Sequence, residues 1–160
     1  MEPKLQGTNE IVIHAAPSQI WAVLENPLRI PEYFPSVSSV EVDAGAREAV
    51  GATRRCQVEM GGRRGEVVER CTEAVPERKL THVMDKDPFG FSRLFCDFGF
   101  SFILEPKSAD DTSVRIEGFY REKTVLSRAM NTLMMRRKLN NLRARILANL
   151  KSLVESQAGS

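Results

Sequence analysis

The end of the chain, residues 124–156, contains neither glycine nor proline and is rich in Ala, Leu, Met, Arg and Lys. This composition predicts one long helix of roughly 30 residues. Most of the preceding chain consists of short segments with alternating apolar and polar residues, separated by turns that contain Gly or Pro. Such segments are typical of β-strands. A series of strands followed by a single long helix leaves few possible folds.

Two short helical elements interrupt the strands near the start. A first strand is predicted at residues 10–15, and "PSQIWAVLENP" then predicts a helix that begins at Pro17. "LRIPEYFP" allows at most one further helical turn because of its prolines. The later strands are predicted at residues 37–42, 51–60, 65–75, 80–85, 90–104 and 113–123.

Short connections make consecutive strands antiparallel neighbours. The apolar face of such a sheet must be covered, and the long helix is the only large element available. We therefore predict an α+β fold, in which a curved antiparallel sheet of about six to seven strands wraps around the C-terminal helix. A helix about 10 Å wide does not fill a curled sheet, so a gap between them is expected. One domain is predicted at residues 8–156, with tails at 1–7 and 157–160.

Charge and cysteine content restrict the class of protein. The 160 residues carry a net charge of only +2, which selects no partner, and no apolar run approaches the roughly 18 residues of a membrane span. The start has no secretory pattern, so a cytoplasmic location is expected. Cys56, Cys71 and Cys96 show no CxxC spacing, which indicates reduced thiols. Neither His14 nor His82 has a second ligand at metal spacing, so we expect no metal and no cofactor.

Six of the eight phenylalanines lie between residues 89 and 102. Cys96, Phe98, Phe100 and Phe102 share one parity in the predicted strand and are expected to face inward. An apolar wall with few polar groups is typical of a small-molecule pocket. A filled core would use the same rings, so composition alone leaves both alternatives open.

Two polar side chains are candidates for chemistry in such a pocket. His82 shares a parity with Leu80 and Met84, and an inward imidazole could transfer a proton or orient a carbonyl. A half-buried structural histidine is the alternative. Tyr120 shares a parity with Ile116 and can place its hydroxyl beside the phenylalanines, or it can lie at the rim.

A third candidate, Arg70, depends on the register of the hairpin around residues 61–65. If Cys56 and Val58 face inward, one register places Val68, Arg70 and Thr72 inward. A register shifted by one residue places Val67, Glu69 and Cys71 inward, opposes Cys56 to Cys71 and turns Arg70 outward. The sequence does not decide between them, and a solvent-exposed Arg70 like Arg54 and Arg55 is the simpler alternative.

The last helix carries two further patterns. Between Lys123 and Val154 there are eight Lys or Arg and no Asp or Glu. This basic face could meet an acidic partner or a membrane surface, but the absence of interleaved aromatic residues argues against nucleic acid. A solvated outer face of the helix is the simpler alternative. The second pattern is apolar. Leu126, Met130 and Leu133 lie nearly opposite the stripe of Leu139, Leu142, Ile146, Leu150 and Leu153. One straight helix on one sheet does not need two opposed apolar faces, so we expect the first half of the helix to turn or begin differently from the second half. Met130 and Met134 suit either core or an adaptable pocket wall.

Several of these segments resemble one known superfamily. "AAPSQIWAVLENPLRIPEYFPSV", "VGATRRCQV", "VVERCTEAVPERKLTHVM" and a helix ending "LANLKSLVE" are similar to the START-like superfamily, also called SRPBCC or helix-grip. The resemblance spans residues 8–156 and is nearest to the polyketide cyclase/dehydrase-like branch, and "RIPEYFP" also resembles the quinone-binding branch. It implies a ligand cavity between sheet and helix. In related cyclases an arginine often lies inside that cavity, where it could stabilise an enolate or a carboxylate. The resemblance implies this role for Arg70 if its side chain points inward.

The function expected from sequence is therefore binding of a hydrophobic small molecule that is polyketide-, lipid- or quinone-like. The expected cavity residues are Arg70, His82, Met84, Cys96, Phe98, Phe100, Phe102, Tyr120, Met130 and Met134. One alternative is a polyketide cyclase or aromatase, in which His82, Tyr120 or Arg70 would assist aldol closure. Another is an interaction module that acts through the basic helix.

Overall fold

The computed structural model describes residues 4–43, 45 and 47–158. The strands are β1 (Leu5–Ile13), β2 (Val37–Val42), β3 (Thr53–Met60), β4 (Arg63–Val75), β5 (Lys79–Lys86), β6 (Phe95–Pro106) and β7 (Thr112–Glu122). They form one antiparallel sheet in the spatial order β1-β7-β6-β5-β4-β3-β2. Consecutive strands pair from β2 to β7, whereas β1 pairs with β7, so β1 and β2 are the two edges of the sheet.

Helices follow the predicted order. Helix α1 (Pro17–Leu24) has proline in its first turn, and a 3-10 helix (Pro27–Glu32) comes next. A short 3-10 turn (Phe91–Arg93) precedes β6. The C-terminal helix, residues 125–158, consists of α2 (Val125–Met130), a π-helical turn (Asn131–Met135) and α3 (Arg136–Ala158). The α+β helix-grip fold predicted from sequence is confirmed.

The main core lies between the sheet and α3. Leu80, Phe102, Leu104, Val114 and Ile116 on the inner face of the sheet are buried. The helix meets them with a stripe at i, i+4 and i+8 spacing, as an amphipathic helix should. Its fully buried members are Ile146, Leu147, Leu150 and Val154.

The predicted domain boundaries need correction at both ends. Strand β1 begins at Leu5, within the segment predicted as a tail, because residues 5–13 pair with β7. The C-terminal helix continues to Ala158, so residues 157 and 158 are helical. Residues 1–3 and 159–160 of the predicted tails lie outside the described residues. No helix in the described part of the chain has the length and apolar character required to span a membrane.

The β3–β4 hairpin adopts neither of the two registers that the sequence left open. A two-residue turn, Gly61–Gly62, places Met60 opposite Arg63, and Cys56 then pairs with Val67. Both glycines have positive φ, as a tight hairpin turn of this kind requires. The parity matches the second alternative, with Val67, Glu69 and Cys71 inward. Arg70 therefore points to the outer face, where it pairs with Asp85, and the inward placement of Arg70 is wrong.

A β-bulge in β6 turns Cys96 away from the inner face of the sheet, so its predicted inward placement is wrong. Asp97 has φ of 57°, and the register with β7 shifts by one residue between Cys96 and Gly99. Alternation is interrupted there, so Phe95 rather than Cys96 shares the inner face with Phe98. Cys96 pairs with Arg121 and does not reach the interior cavity.

The C-terminal helix contains a π-helical turn between its two apolar stripes. A π turn inserts an extra residue, which rotates the two helical parts by about 100° relative to each other. Met135 is buried after this rotation, whereas Leu126 and Leu133 are exposed. Met130 and Met134 lie between these extremes, at the end of a cavity.

Candidate functional site

A cavity of about 520 Å³ lies between the inner face of the sheet and the C-terminal helix. Its wall is mainly aromatic and aliphatic. The sheet contributes Val58, Val67, Met84, Phe98, Phe100, Ile116 and Tyr120, and the helix contributes Met130, Met134, Met135, Leu139, Leu142 and Ile146. Exposed residues, including Met60, Gly61 and Lys138, also line it, so the cavity reaches solvent at that end.

Six of the ten residues predicted for the cavity line it, namely Met84, Phe98, Phe100, Tyr120, Met130 and Met134. Phe102 is buried in the core and packs edge-on against Phe100. His82 is buried behind the wall, where its ring stacks on Phe100 at 5.7 Å between centroids. Arg70 and Cys96 do not line the cavity.

Tyr120 forms part of the aromatic wall. Its ring stacks on Phe98, with centroids 5.1 Å apart, and meets Phe95 edge-on. The hydroxyl donates to Oδ1 of Asn131, which is fully buried in the π-helical turn. Burial raises the pKa of Tyr120. The phenol is thus held neutral and in one orientation at the helix end of the cavity.

A buried ionic network, defined by Glu48, Arg54, Glu69 and His82, lies at the sheet side of the cavity. Arg54 donates from Nη1 to Oε1 of Glu48 at 2.7 Å and from Nε to Oε2 of Glu69 at 2.8 Å. His82 Nε2 lies 2.9 Å from Oε2 of Glu48. Glu69 also lines the cavity, so one end of the network meets the interior space.

In this network, burial and the neighbouring charges shift the pKa values in opposite directions. Burial raises the pKa of Glu48, but the hydrogen bond with His82 and the charge of Arg54 outweigh it and leave that pKa below its usual range. Burial lowers the pKa of Arg54, but Glu69 and Glu48 outweigh this effect and raise it. Both charged forms are therefore stabilised inside the protein, as buried ions require partners.

Three side chains in this region lie close enough together to be considered as metal ligands. One ligand atom each of Glu48, Cys71 and His82 lies within 4.8 Å of the others. Nδ1 of His82 has no hydrogen-bond partner among the described residues. However, the carboxylate of Glu48 already contacts both Arg54 and His82. The positive charge of Arg54 at 2.7 Å disfavours a cation there, so the geometry fits an ionic network better than a metal site.

Sequence reasoning missed Glu48, Arg54 and Arg143, and it placed Glu69 inward in only one of two registers. A signal existed for Arg54, because it shares the parity of Cys56 and Val58, both of which face inward. Arg143 follows Leu139 and precedes Ile146 at helical spacing, which places it on the buried stripe. Glu48 lies in the β2–β3 loop, where no periodic pattern applies.

Residues 4–155 match the family model described as polyketide cyclase / dehydrase and lipid transport. The chain belongs to this family. The resemblance seen in the sequence is thereby confirmed, and the match covers the sheet, the cavity and almost all of the C-terminal helix of this polyketide cyclase/dehydrase family member. No match to a curated protein was found.

Solved structures with the same fold come from bacteria and a plant. An aromatase/cyclase from Streptomyces sp. R1128 is 14% identical, with a TM-score of 0.77 over 98% of this chain and 96% of that one. A START superfamily protein from Mycobacterium smegmatis is 14% identical, with a TM-score of 0.75 over 94% and 97%. Norcoclaurine synthase from Thalictrum flavum, in complex with dopamine and hydroxybenzaldehyde, is 16% identical, with a TM-score of 0.73 over 97% and 88%. At these identities the likeness establishes the fold of this family member alone.

Proposed function

We propose that this family member binds an apolar small molecule, ring-containing or long-chain, in the cavity between the sheet and the C-terminal helix. The observation that carries the proposal is the wall itself. A volume of about 520 Å³ lies within the range of small-molecule sites, and the lining is mostly Phe, Met, Leu, Val and Ile with a few polar groups. The ligands named for the plant enzyme, dopamine and hydroxybenzaldehyde, are small aromatic molecules, which supports the same use of this fold.

Dye binding tests this proposal. The folded protein should take up about one molecule of Nile red, a neutral apolar dye, with enhanced fluorescence. Phe100→Trp adds bulk inside the cavity and should reduce uptake several-fold. Leu28→Trp is the matched control, since Leu28 is exposed and does not line the cavity. Equal uptake by both variants, or none by the parent, would contradict the proposal. Native mass spectrometry of freshly purified protein would weigh any co-purified ligand.

A cyclase activity is the second candidate, and Glu69 and Tyr120 favour it. Both line the cavity, and Glu69 is held by Arg54. A carboxylate and a phenol that face one apolar space could orient a bound poly-ketone and exchange protons during aldol closure. Arg70 has no part in this proposal. Incubation with a poly-β-keto thioester analogue, followed by mass spectrometry and NMR of the products, would detect ring closure. Glu69→Gln and Tyr120→Phe should slow ring closure. If the protein only binds the analogue, ring closure should be no faster than without protein.

The basic face of the C-terminal helix supports a third proposal, contact with an acidic partner or an anionic membrane surface. Arg128, Arg136, Arg137, Lys138 and Arg145 are exposed, and Leu126 and Leu133 lie exposed nearby. Co-sedimentation with vesicles that contain anionic lipid would test this.

The free thiols of Cys56, Cys71 and Cys96 support a reducing, cytoplasmic location.

A further inference from the structure

Arg143 is a buried cation on the wall of the cavity. It lies on α3, one turn after Leu139 and one turn before Ile146, and all three residues line the cavity. Its exposed fraction is only 8%, whereas Arg136, Arg137, Lys138 and Arg145 on the same helix are exposed. Arg143 is thus set apart from the basic face that could meet an external partner.

Two facing glycines make room for the guanidinium. Gly7 on β1 and Gly118 on β7 are directly paired. A Cβ added at Gly7 would lie 2.1 Å from Nη2 of Arg143, and a Cβ at Gly118 would lie 2.9 Å from Nη1. Any larger residue at either position would collide with the guanidinium in its present place. The two glycines therefore form a niche beside the cavity that leaves room for the guanidinium.

The hydrogen bonds of Arg143 are incomplete. Nε donates to Oδ1 of Asn9 at 2.8 Å, and among the described residues this is its only hydrogen bond. No carboxylate of the described residues forms an ion pair with it. Burial lowers the pKa of Arg143, and the one opposing effect comes from Tyr120, a neutral phenol at neutral pH. By contrast, the other buried arginine, Arg54, has two carboxylates.

A buried charge without a counter-ion is unfavourable unless a partner arrives with the ligand. The two terminal nitrogens of a guanidinium form a fork that matches the two oxygens of a carboxylate. We propose that Arg143 binds the carboxylate of an otherwise apolar ligand, whose chain or rings lie along the Phe98, Phe100 and Met84 wall. This proposal rests on the proposed binding function and names the class of ligand as an apolar carboxylic acid.

The test compares two ligands of equal chain length. Dodecanoate and dodecan-1-ol would each displace Nile red from the protein at pH 8, where a carboxylic acid is ionised. The wild type should bind dodecanoate about tenfold more tightly than the alcohol. Arg143→Met keeps an apolar stem of similar length and should abolish the preference without weakening the alcohol. Arg145→Met, an exposed site two residues along the helix, should retain the preference.

A second variant checks the niche without removing charge. Gly7→Ala should move the guanidinium and reduce the preference for dodecanoate, while the melting temperature reports on folding. The ligand-free Arg143→Met protein should melt no lower than the wild type, because an unpaired buried charge is lost. Equal affinity of the wild type for both ligands, or a preference that survives in Arg143→Met, would overturn the role of Arg143 and leave apolar binding intact. Failure of Nile red itself to bind would instead overturn the proposed function, and this inference with it.

Discussion

Nε2 of His82 lies 2.9 Å from Oε2 of Glu48, in a pair whose side chains are 1% and 3% exposed. His82 is central in β5, and Glu48 comes from the loop before β3. Arg54 binds the other oxygen of the same carboxylate. Glu48 therefore ties the loop to two strands of the sheet, and its charge cannot be removed without leaving Arg54 under-compensated.

We expect Glu48→Gln to destabilise the protein strongly. Removal of one partner from a buried ion pair costs about 3–5 kcal/mol, because the remaining charge stays buried. Urea denaturation measures the loss. Glu41→Gln is the matched control, since Glu41 is an exposed partner of Arg55 and such surface pairs contribute little to stability. Equal losses in the two variants would show that the Glu48 network is not a buried ionic unit.

Stability should fall in acid as carboxylates in the folded state become protonated. Burial raises the pKa of Glu122, but bonds from Lys4 and Asn131 lower it to about 2, and the pKa of Glu48 is also lowered. A folded pKa below the unfolded value of about 4.3 stabilises the protein above that pH. That stability is lost as pH falls toward about 2. Urea midpoints at pH 7, 5, 4 and 3 should decline less steeply in Glu122→Gln than in the wild type.

Phe100 and Phe102 should respond differently to truncation although they are neighbours of one parity. Phe100 lines the cavity, so Phe100→Ala enlarges an existing space and should cost about 1 kcal/mol. Phe102 is buried among core residues, and Phe102→Ala should cost about 3–5 kcal/mol. Denaturant unfolding of the two variants makes the comparison. Similar losses of the larger size would identify the whole aromatic wall as ordinary core.

Thiol reactivity should separate Cys96 from the other cysteines. Cys56 and Cys71 are buried, and burial raises the pKa of the Cys56 thiol to about 12 and also raises that of Cys71. Since the thiolate is the reactive form, one thiol should react readily with Ellman's reagent in the folded protein and three after unfolding. Cys96→Ser should remove the native reaction. Detection of only one thiol after unfolding would reveal a disulfide.

Substitutions at Leu133 and Met135, two residues apart in the π-helical turn, should differ in their cost to stability. Leu133 is 81% exposed, so Leu133→Ser should change stability by less than about 0.5 kcal/mol. Met135 is buried near Phe95 and Tyr120 but also lines the cavity, so Met135→Ala should cost about 1 kcal/mol, as at Phe100, and more than Leu133→Ser. Chemical denaturation distinguishes them. A large cost at Leu133 would mean that its side chain is buried in the protein.

Much of the fold follows from local sequence. The long helix is predicted because residues 124–156 lack Gly and Pro, and the strands are predicted by alternation between turn residues. These signals act over a few residues, so they can be seen without tertiary contacts. The same alternation correctly placed Phe98 and Phe100 on one face, and it placed Arg54 with Cys56, although the charge led to the opposite interpretation.

The positions that failed depend on single-residue shifts. The turn at Gly61–Gly62 turned Arg70 outward, and the bulge at Asp97 turned Cys96 away from the cavity. A slip of one residue reverses every side chain that follows, and local composition barely distinguishes the alternatives.

Local sequence by itself determined the α+β elements and their order, because propensity and periodicity are short-range properties. Only the tertiary structure decided the chemistry of the interior. It placed Glu48 against His82, satisfied Arg54 with two carboxylates, and left Arg143 in a niche between Gly7 and Gly118 without a carboxylate partner among the described residues. The physical reason is that a buried charge is stabilised by partners close in space, and these come from loops and strands far apart in the chain.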